Sequence, residues 1–380
     1  MRHTFFHFRS LVVALSAALL ATPAAGAAPA KQFRGVWVRP EASESSIVLQ
    51  LDNMKKAGFN AVYVETFYHG HTIYPSKYVP IRPEMKGMDC LAFYIKAARK
   101  RGIQVHPWIE AFYWEVDVTK YPKFPKTTLF DNHPEWKARL RDGSSTEKAE
   151  PAHIFASPAH PGVQKLLLDY LQEILVNYDV DGINLDYIRW PGGPPDAGYE
   201  ENSVNEFMKL TGLDAKKIVF DKENADWKKW VEYREGKVTD FVGKVKEMKD
   251  RVKKGAVLSA AVFAGAPDLR YFDARFQNWR MMLAKGYLDA IAPMVYDESL
   301  DGVEKGVKNI QTEIPPKSKT ILLPILAIQR KTLDEFSGSK HPPIAAQVKI
   351  LAKLGLSGFS VFCYEWVIDS AEGLDLFKMP

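Results

Sequence analysis

From about residue 30 onward the chain repeats one pattern: a short run rich in β-branched and aromatic residues, then a stretch whose apolar positions recur at helical spacing. The runs predict strands at Phe33–Val38, Asn60–Glu65, Gln104–Glu110, Gly182–Asp186, Val257–Val262, Leu288–Tyr296, Thr320–Ile325 and Gly358–Phe362. Between them, helical periodicity covers Ser46–Ala57 before Gly58, Asp89–Arg101 before Gly102, Gly162–Asn177 and Asp226–Lys253, with glycine stops where a left-handed cap is needed. Strands that alternate with helices pair in parallel through right-handed crossovers, and eight of them predict closure into a (β/α)8 barrel. An open doubly wound sheet is the structural rival, but no Gly-rich phosphate loop follows the first strand. The surplus length falls in Phe112–His160, after the third strand, and Pro191–Ala225, after the fourth, both on the side where barrels carry their chemistry. No repeat of fixed period, low-complexity tract or linker divides the chain, so residues 31–380 read as one decorated barrel.

The N-terminus breaks this pattern. Arg2 and Arg9 precede an apolar run, Leu11–Ala21, too short to span a bilayer, and Ala25-Gly26-Ala27 supplies a small-residue cleavage pattern. Residues 1–27 therefore read as a signal peptide and the mature chain as exported, periplasmic or extracellular, with no later stretch long enough for a membrane helix. The formal charge of +5 falls to +3 once Arg2 and Arg9 are discounted, too weak a field for a nucleic-acid binder. Cys90 and Cys363 are the two cysteines; the oxidising setting allows a bridge, and their apolar surroundings suit buried free thiols equally well.

Acidic residues collect where the predicted strands end. Glu65 closes the second strand, Glu110 the third and Asp186 the fourth; Asp297 and Glu298 follow the sixth and Glu365 the eighth. Each alone has a structural reading, as a helix cap or an arginine partner. Convergence in one cleft costs repulsion and calls for a purpose, metal binding or acid–base work. His106, His69 and His71 fall near the mouth, but no metal-binding histidine spacing occurs and His69-Gly70-His71 lies in a turn, so no metal or other cofactor is expected. No Gly-x-Ser-x-Gly turn offers a serine nucleophile. What remains is a carboxylate pair: one acid protonates a leaving oxygen while the other attacks a sugar carbon or activates water. Aromatic residues, 12% of the chain, flank the same strand ends at Trp37, Trp108, Tyr187, Trp190 and Tyr296, where ring faces suit sugars as well as a core. Alternation along Gly182-Ile183-Asn184-Leu185-Asp186 turns Asn184 and Asp186 to the barrel interior, and Arg189, three residues on, is placed to keep Asp186 ionised or to brace the loop that follows.

A set of motifs in order along residues 31 to 370 resembles the glycosyl hydrolase-like 10 family: Phe33-Arg34-Gly35-Val36-Trp37-Val38, Gly58-Phe59-Asn60-Ala61-Val62-Tyr63-Val64, Tyr74-Pro75-Ser76, His133-Pro134-Glu135-Trp136, Ser157-Pro158-Ala159-His160-Pro161-Gly162-Val163, Val180–Pro191 and Ile291–Tyr296. The resemblance implies an exported bacterial TIM-like barrel acting on a polysaccharide, some relatives cutting peptidoglycan strands stripped of their peptides, with Asp186 at the family's strand-four aspartate. Two departures stand out. Chitinase-type relatives carry Asp-Gly-x-Asp-x-Asp-x-Glu here, whereas this chain has Asn184 and Ile188 at two of those positions, and amylase-type enzymes place a Glu on strand five where Ala260–Ala264 offers none. The proton donor then has to come from elsewhere. Where Glu110 stands, many relatives resemble one another in having an Asn.

Together these readings predict a glycoside hydrolase with Asp186 as nucleophile or stabilising carboxylate and Glu110 as proton donor, Glu65, Asp297 and Glu365 being alternates. Arg34, Trp37, His106, Trp108, Asn184, Arg189, Trp190 and Tyr296 would bind substrate, a polysaccharide or oligosaccharide, with no obligate protein partner. A carbohydrate-binding barrel that has lost its chemistry is the alternative, and a metal-dependent hydrolase built on His106 is a third.

Overall fold

A computed structural model describes residues 32–194, 196–264, 275–331 and 340–377; the signal-peptide reading of residues 1–27 lies outside them. Eight parallel strands close on themselves: β1 (Phe33–Val38), β2 (Ala61–Tyr68), β3 (Gln104–Glu110), β4 (Gly182–Asp186), β5 (Val257–Phe263), β6 (Ala290–Val295), β7 (Ile325–Ala327) and β8 (Gly358–Phe362), with β8 pairing back onto β1. The barrel expected from the strand count is therefore the fold. β7 is the weakest stave: Pro324 breaks the predicted Thr320–Ile325 run, leaving Ile321–Leu322 and Ile325–Ala327 as separate pieces. Cys90 and Cys363 are both buried free thiols.

The hydrophobic runs are unbroken because each strand is covered on both sides. Val62, Val64, Val105 and Ile109 face the helices, while Trp37, Tyr63, Trp108, Ala261, Ala292 and Ile325 pack inside the barrel. Helix Glu44–Ala57 begins where Ser43 accepts the Ser46 N–H and ends at Gly58, whose φ of 91° only glycine adopts cheaply.

Polar side chains at the amino ends of three strands hold neighbouring staves together. Asn60 Oδ1 accepts the Arg34 N–H at 2.8 Å, Asp181 the Val105 N–H at 2.8 Å and Asp289 the Leu258 N–H at 2.9 Å. Thus the first aspartate of the Asp181–Asp186 motif is a piece of the fold, at the end opposite its last. Asp289 also receives Lys246 at 2.9 Å and the buried Lys249 at 3.0 Å. Burial alone would raise its pKa, but the Leu258 N–H and the two lysines outweigh it and hold the carboxyl below the usual range. Asp289→Ala should cost about 2–4 kcal/mol of stability at neutral pH, since it strips Lys249 and an inter-strand N–H of a partner. The depressed pKa makes this contribution vanish as pH falls through the folded-state value, so denaturant melts of variant and wild type should converge in acid.

The segment between β3 and the helix Pro161–Asn177 forms an antiparallel pair, Tyr113–Val116 with His153–Phe155, over the carboxyl rim. In β2 an extra residue, Thr66, interrupts the register between Glu65, opposite Trp108, and Phe67, opposite Ile109. The bulge resets the alternation. Phe67 then packs outward on Tyr170, ring centroids 5.4 Å apart, while Glu65 and Tyr68 turn to the mouth.

Candidate active site

A cavity of about 200 Å3 opens at the carboxyl ends of the strands. Trp37 and Trp108 meet edge to face on its floor, 5.1 Å apart, and Phe263, Tyr296 and Phe362 form its walls. Tyr296 is 44% exposed, a ring face open to solvent at the rim.

Glu110 and Asp186 both line this cavity and are register partners across β3 and β4, so their Cα atoms stand about 4.8 Å apart with side chains on the same face. Their surroundings differ. Asp186 Oδ2 accepts from Trp108 Nε1 at 3.0 Å and Oδ1 from the Tyr187 N–H at 2.7 Å. Tyr187 itself sits in the left-handed region, φ 46°, a conformation non-glycine residues adopt at a cost. Glu110 Oε2, by contrast, is buried with no hydrogen-bond partner. Burial pushes the Glu110 carboxyl well above the ordinary range, and the nearby Glu65 and Asp186 charges push it further. Burial also raises Asp186, against the Tyr187 N–H, Arg189 and Trp108. Two donors aimed at one carboxyl and none at a buried oxygen of the other favour Asp186 as the anion and Glu110 as the neutral acid.

The other predicted residues divide between this cavity and elsewhere. Glu65 is fully buried beneath the rim, sandwiched between Arg39 Nε at 3.3 Å and Arg82 at 3.4 Å. Glu365 accepts the Arg39 N–H at 2.9 Å and thereby fixes the backbone that follows β1. Asp297 does not join the cluster: its carboxyl accepts the Ser299 N–H and hydroxyl, both at 2.9 Å, in a turn ahead of helix Leu300–Glu313. Arg34 and His106 occupy the far, amino end of the barrel, Arg34 over Phe377 and His106 against Phe33 and Gly182. That position also separates His106 from the carboxylates a metal site would have needed, and among the described residues no group of three or more His, Cys, Asp or Glu is arranged to hold a metal. Asn184 lies one layer below Asp186 and donates to Ser259 Oγ at 2.9 Å. Trp190 is buried, its indole N–H given to the Arg234 carbonyl.

Arg189 lines the cavity but does not bond Asp186. It forks onto Glu150, at 2.8 and 3.0 Å, and Glu150 also accepts the Gly192 N–H. Burial would raise Glu150, but Arg189 brings it down to about 2. The pair ties the Phe112–His160 segment to the loop after β4 and lays the guanidinium 4.7 Å over the Tyr187 ring. Arg39 and Glu150 were not singled out in the sequence. Arg39 directly follows β1, so counting cations as well as acids at strand ends would have found it, whereas nothing local marks Glu150, which meets Arg189 across 39 positions.

A closed parallel barrel with two carboxylates side by side at its carboxyl rim has the architecture of the TIM-barrel glycosidases, and solved structures agree in fold. The catalytic domain of a β-amylase from Paenibacillus polymyxa superposes with a TM-score of 0.62 at 12% identity, over 91% of this chain and 96% of that one. An α-L-fucosidase from Paenibacillus thiaminolyticus gives 0.56 at 20%, over 87% and 46%. The chain belongs to the glycosyl hydrolase-like 10 family, whose model matches residues 31–322. Curated relatives include glycosyl hydrolase YngK of Bacillus subtilis, 23% identical over 69% of this chain, and glycosyl hydrolase DigH of Escherichia coli, 23% identical over 73%. The match spans half of YngK and 70% of DigH. An S-layer-related protein of Niallia circulans is 24% identical over 52% of this chain, but only 13% of its own length is matched.

Proposed function

We propose that the protein is an exported glycoside hydrolase that cuts a bacterial polysaccharide of the peptidoglycan or amino-sugar type with Glu110 as acid and Asp186 as nucleophile or base. The observation that carries this reading is the register pairing of Glu110 with Asp186 in opposite hydrogen-bonding environments. Glu110 donates its proton to the bridging oxygen as the C1–O bond breaks, and the electron pair leaves with that oxygen. The Asp186 carboxylate either bonds to C1 or takes a proton from the water that does; carboxyl spacing decides which. Tyr296 offers ring surface to a sugar face at the rim, above a floor made by the buried Trp37 and Trp108. The arginines and apolar run at the start of the chain, and the similarity to an S-layer-related protein, support a place outside the cytoplasm.

Incubation with peptide-free peptidoglycan, chitin and partly deacetylated chitosan, followed by product analysis, tests the proposal. Soluble products with new reducing ends support it; retention on a glycan without cleavage gives the protein to the binding alternative.

The acid must hold its proton and the base must have lost its own, so kcat/KM should trace a bell against pH. The acid limb reports protonation of Asp186 and the alkaline limb ionisation of Glu110. Because burial raises both carboxyls, each limb should lie above the pH expected for a solvated carboxylate. A rate that is flat across both limbs would remove the pair from the chemistry.

A further inference from the structure

Beside the mouth lies a second cavity, of about 280 Å3, lined by Tyr68, His69, His71, Arg82, Lys123 and Phe124 among others. Its frame is a tight hairpin. β2 ends at Tyr68, and His71–Thr72 pairs back antiparallel on Phe67–Tyr68, leaving His69-Gly70 as a two-residue turn with φ of 47° and 66°. Such turns demand positive φ at both positions, and a histidine at the first pays a steric penalty that Gly or Asn would largely avoid. The turn is held by Thr127, whose hydroxyl donates to the Gly70 carbonyl at 3.1 Å, and a Cβ on Gly70 would come within 2.5 Å of that hydroxyl. This contact brings the segment bearing Lys123 and Phe124 over the turn.

The lining is unsatisfied in a way that asks for a ligand. His69 is 2% exposed, stacked 3.6 Å from Tyr68, and both its ring nitrogens lack a partner. Buried polar atoms are ordinarily bonded, and leaving two unpaired on one ring is costly unless something fills the space. Burial keeps the ring neutral, with a pKa down to about 2, so it offers one N–H donor and one acceptor. Around it stand two cations. Arg82 lies 4.8 Å over the Tyr68 ring, shares the buried Glu65 with Arg39, and reaches Glu84 at 3.5 Å, whose carboxyl is half exposed. Lys123 lies 5.1 Å over the Phe124 ring on the outer lip. His71 is also kept neutral by burial, against the His69 carbonyl its Nδ1 bonds.

The two cavities adjoin across Glu65, whose carboxyl is held by Arg39 of the first and Arg82 of the second. Tyr68 feels the charges of both Glu65 and Glu110, and Tyr113 packs on His69 from one side and on Tyr187 from the other, with centroids 4.7 and 5.0 Å apart. One sugar unit seated over Glu110 and Asp186 would therefore place its neighbour against Tyr68.

We infer that this side cavity is a subsite for a carboxylate-bearing sugar adjoining the bond that is cut, with Arg82 and Lys123 meeting the carboxylate and His69 a hydroxyl or acyl group of the same ring. The inference rests on the hydrolase reading for its place beside the scissile bond, and on its own geometry for its ligand. Arg82 is already fixed by Glu65, so it presents a carboxylate with a pre-aimed donor at little cost in ordering.

Titration calorimetry with the Asp186→Asn protein, which holds glycan without turnover, tests it. The probes are a hexasaccharide from peptide-free peptidoglycan strands, in which every second sugar carries a lactyl carboxylate, and the same hexasaccharide with those carboxyls converted to methylamides. The acidic form should bind about tenfold tighter at low salt, a gap that narrows as salt screens it. Adding Lys123→Gln, an exposed change that leaves the fold alone, or Arg82→Gln should each close the gap by about threefold or more. Equal affinity for both probes, or a loss that falls equally on both, overturns the subsite. Failure of the hydrolase reading shows separately, as absence of reducing ends with the wild-type enzyme.

Discussion

Glu110→Gln lowers hydrolysis of a natural glycan by about 10²–10⁴-fold, the range that a positioned proton donor supplies, and at the same time makes the folded protein more stable at neutral pH. The second half follows from the first. A carboxyl confined beside Glu65 and Asp186, with an oxygen that nothing bonds, is tolerated in its protonated form and penalised when it ionises. Its folded-state pKa lies above the unfolded one, so its stability is fully present at pH below the ordinary glutamate range and is lost as pH rises through the folded value. Each unit of that elevation represents ~1.4 kcal/mol. Gln keeps the shape of the protonated acid and cannot ionise. Thermal melts should show the variant ahead of wild type at pH 7 and level with it near pH 4. Activity loss should also depend on the leaving group: a dinitrophenyl glycoside, whose phenolate leaves without a proton, should be cut by the variant at near the wild-type rate. Equal losses on both substrates would assign the acid elsewhere.

Asp186→Asn has the larger catalytic effect, about 10³-fold or more, because it removes the anion that meets the developing charge at C1 rather than a proton that water can partly supply. The amide also fits its cradle badly. Trp108 Nε1 and the Tyr187 N–H both donate to the present carboxylate, and an Asn offers one acceptor and one donor, setting N–H against N–H on one side. Relief from burying a charge offsets that mismatch, so stability should move by no more than about 2 kcal/mol. Near wild-type unfolding with activity gone would place Asp186 in the chemistry; unfolding at room temperature would make it a structural residue.

Periodicity made the staves legible, because a barrel strand buried on both faces leaves an apolar run that a loop or surface helix does not. β3, β4 and β8 agree with their predicted bounds, and β7 departs where Pro324 removes a ladder donor. Within the site, strand-end position and alternation together pointed to Glu110 and Asp186. Depth along the strand decides against His106, expected near the mouth, and Arg34, expected to bind substrate: both stand near the start of their strands, at the opposite end. Asp297 misled for another reason: past the last paired residue the chain turns, and a short acid there finds the nearest N–H groups, those of its own turn. Arg189 shows what local spacing omits. Three residues from Asp186, it still pairs with Glu150, which reaches it from the segment between β3 and the helix Pro161–Asn177. Long-range ion pairs of this kind are decided by how that segment packs, and no periodicity records them.

The account depends on Asp186 serving as a reacting group and not as a brace for Trp108. The most direct test is a time course of reducing-end release from peptide-free peptidoglycan strands by wild type and Asp186→Asn side by side, with equal folded concentrations confirmed by circular dichroism. The account predicts steady release by wild type and none above background from the variant. Release by the variant at the wild-type rate would contradict it.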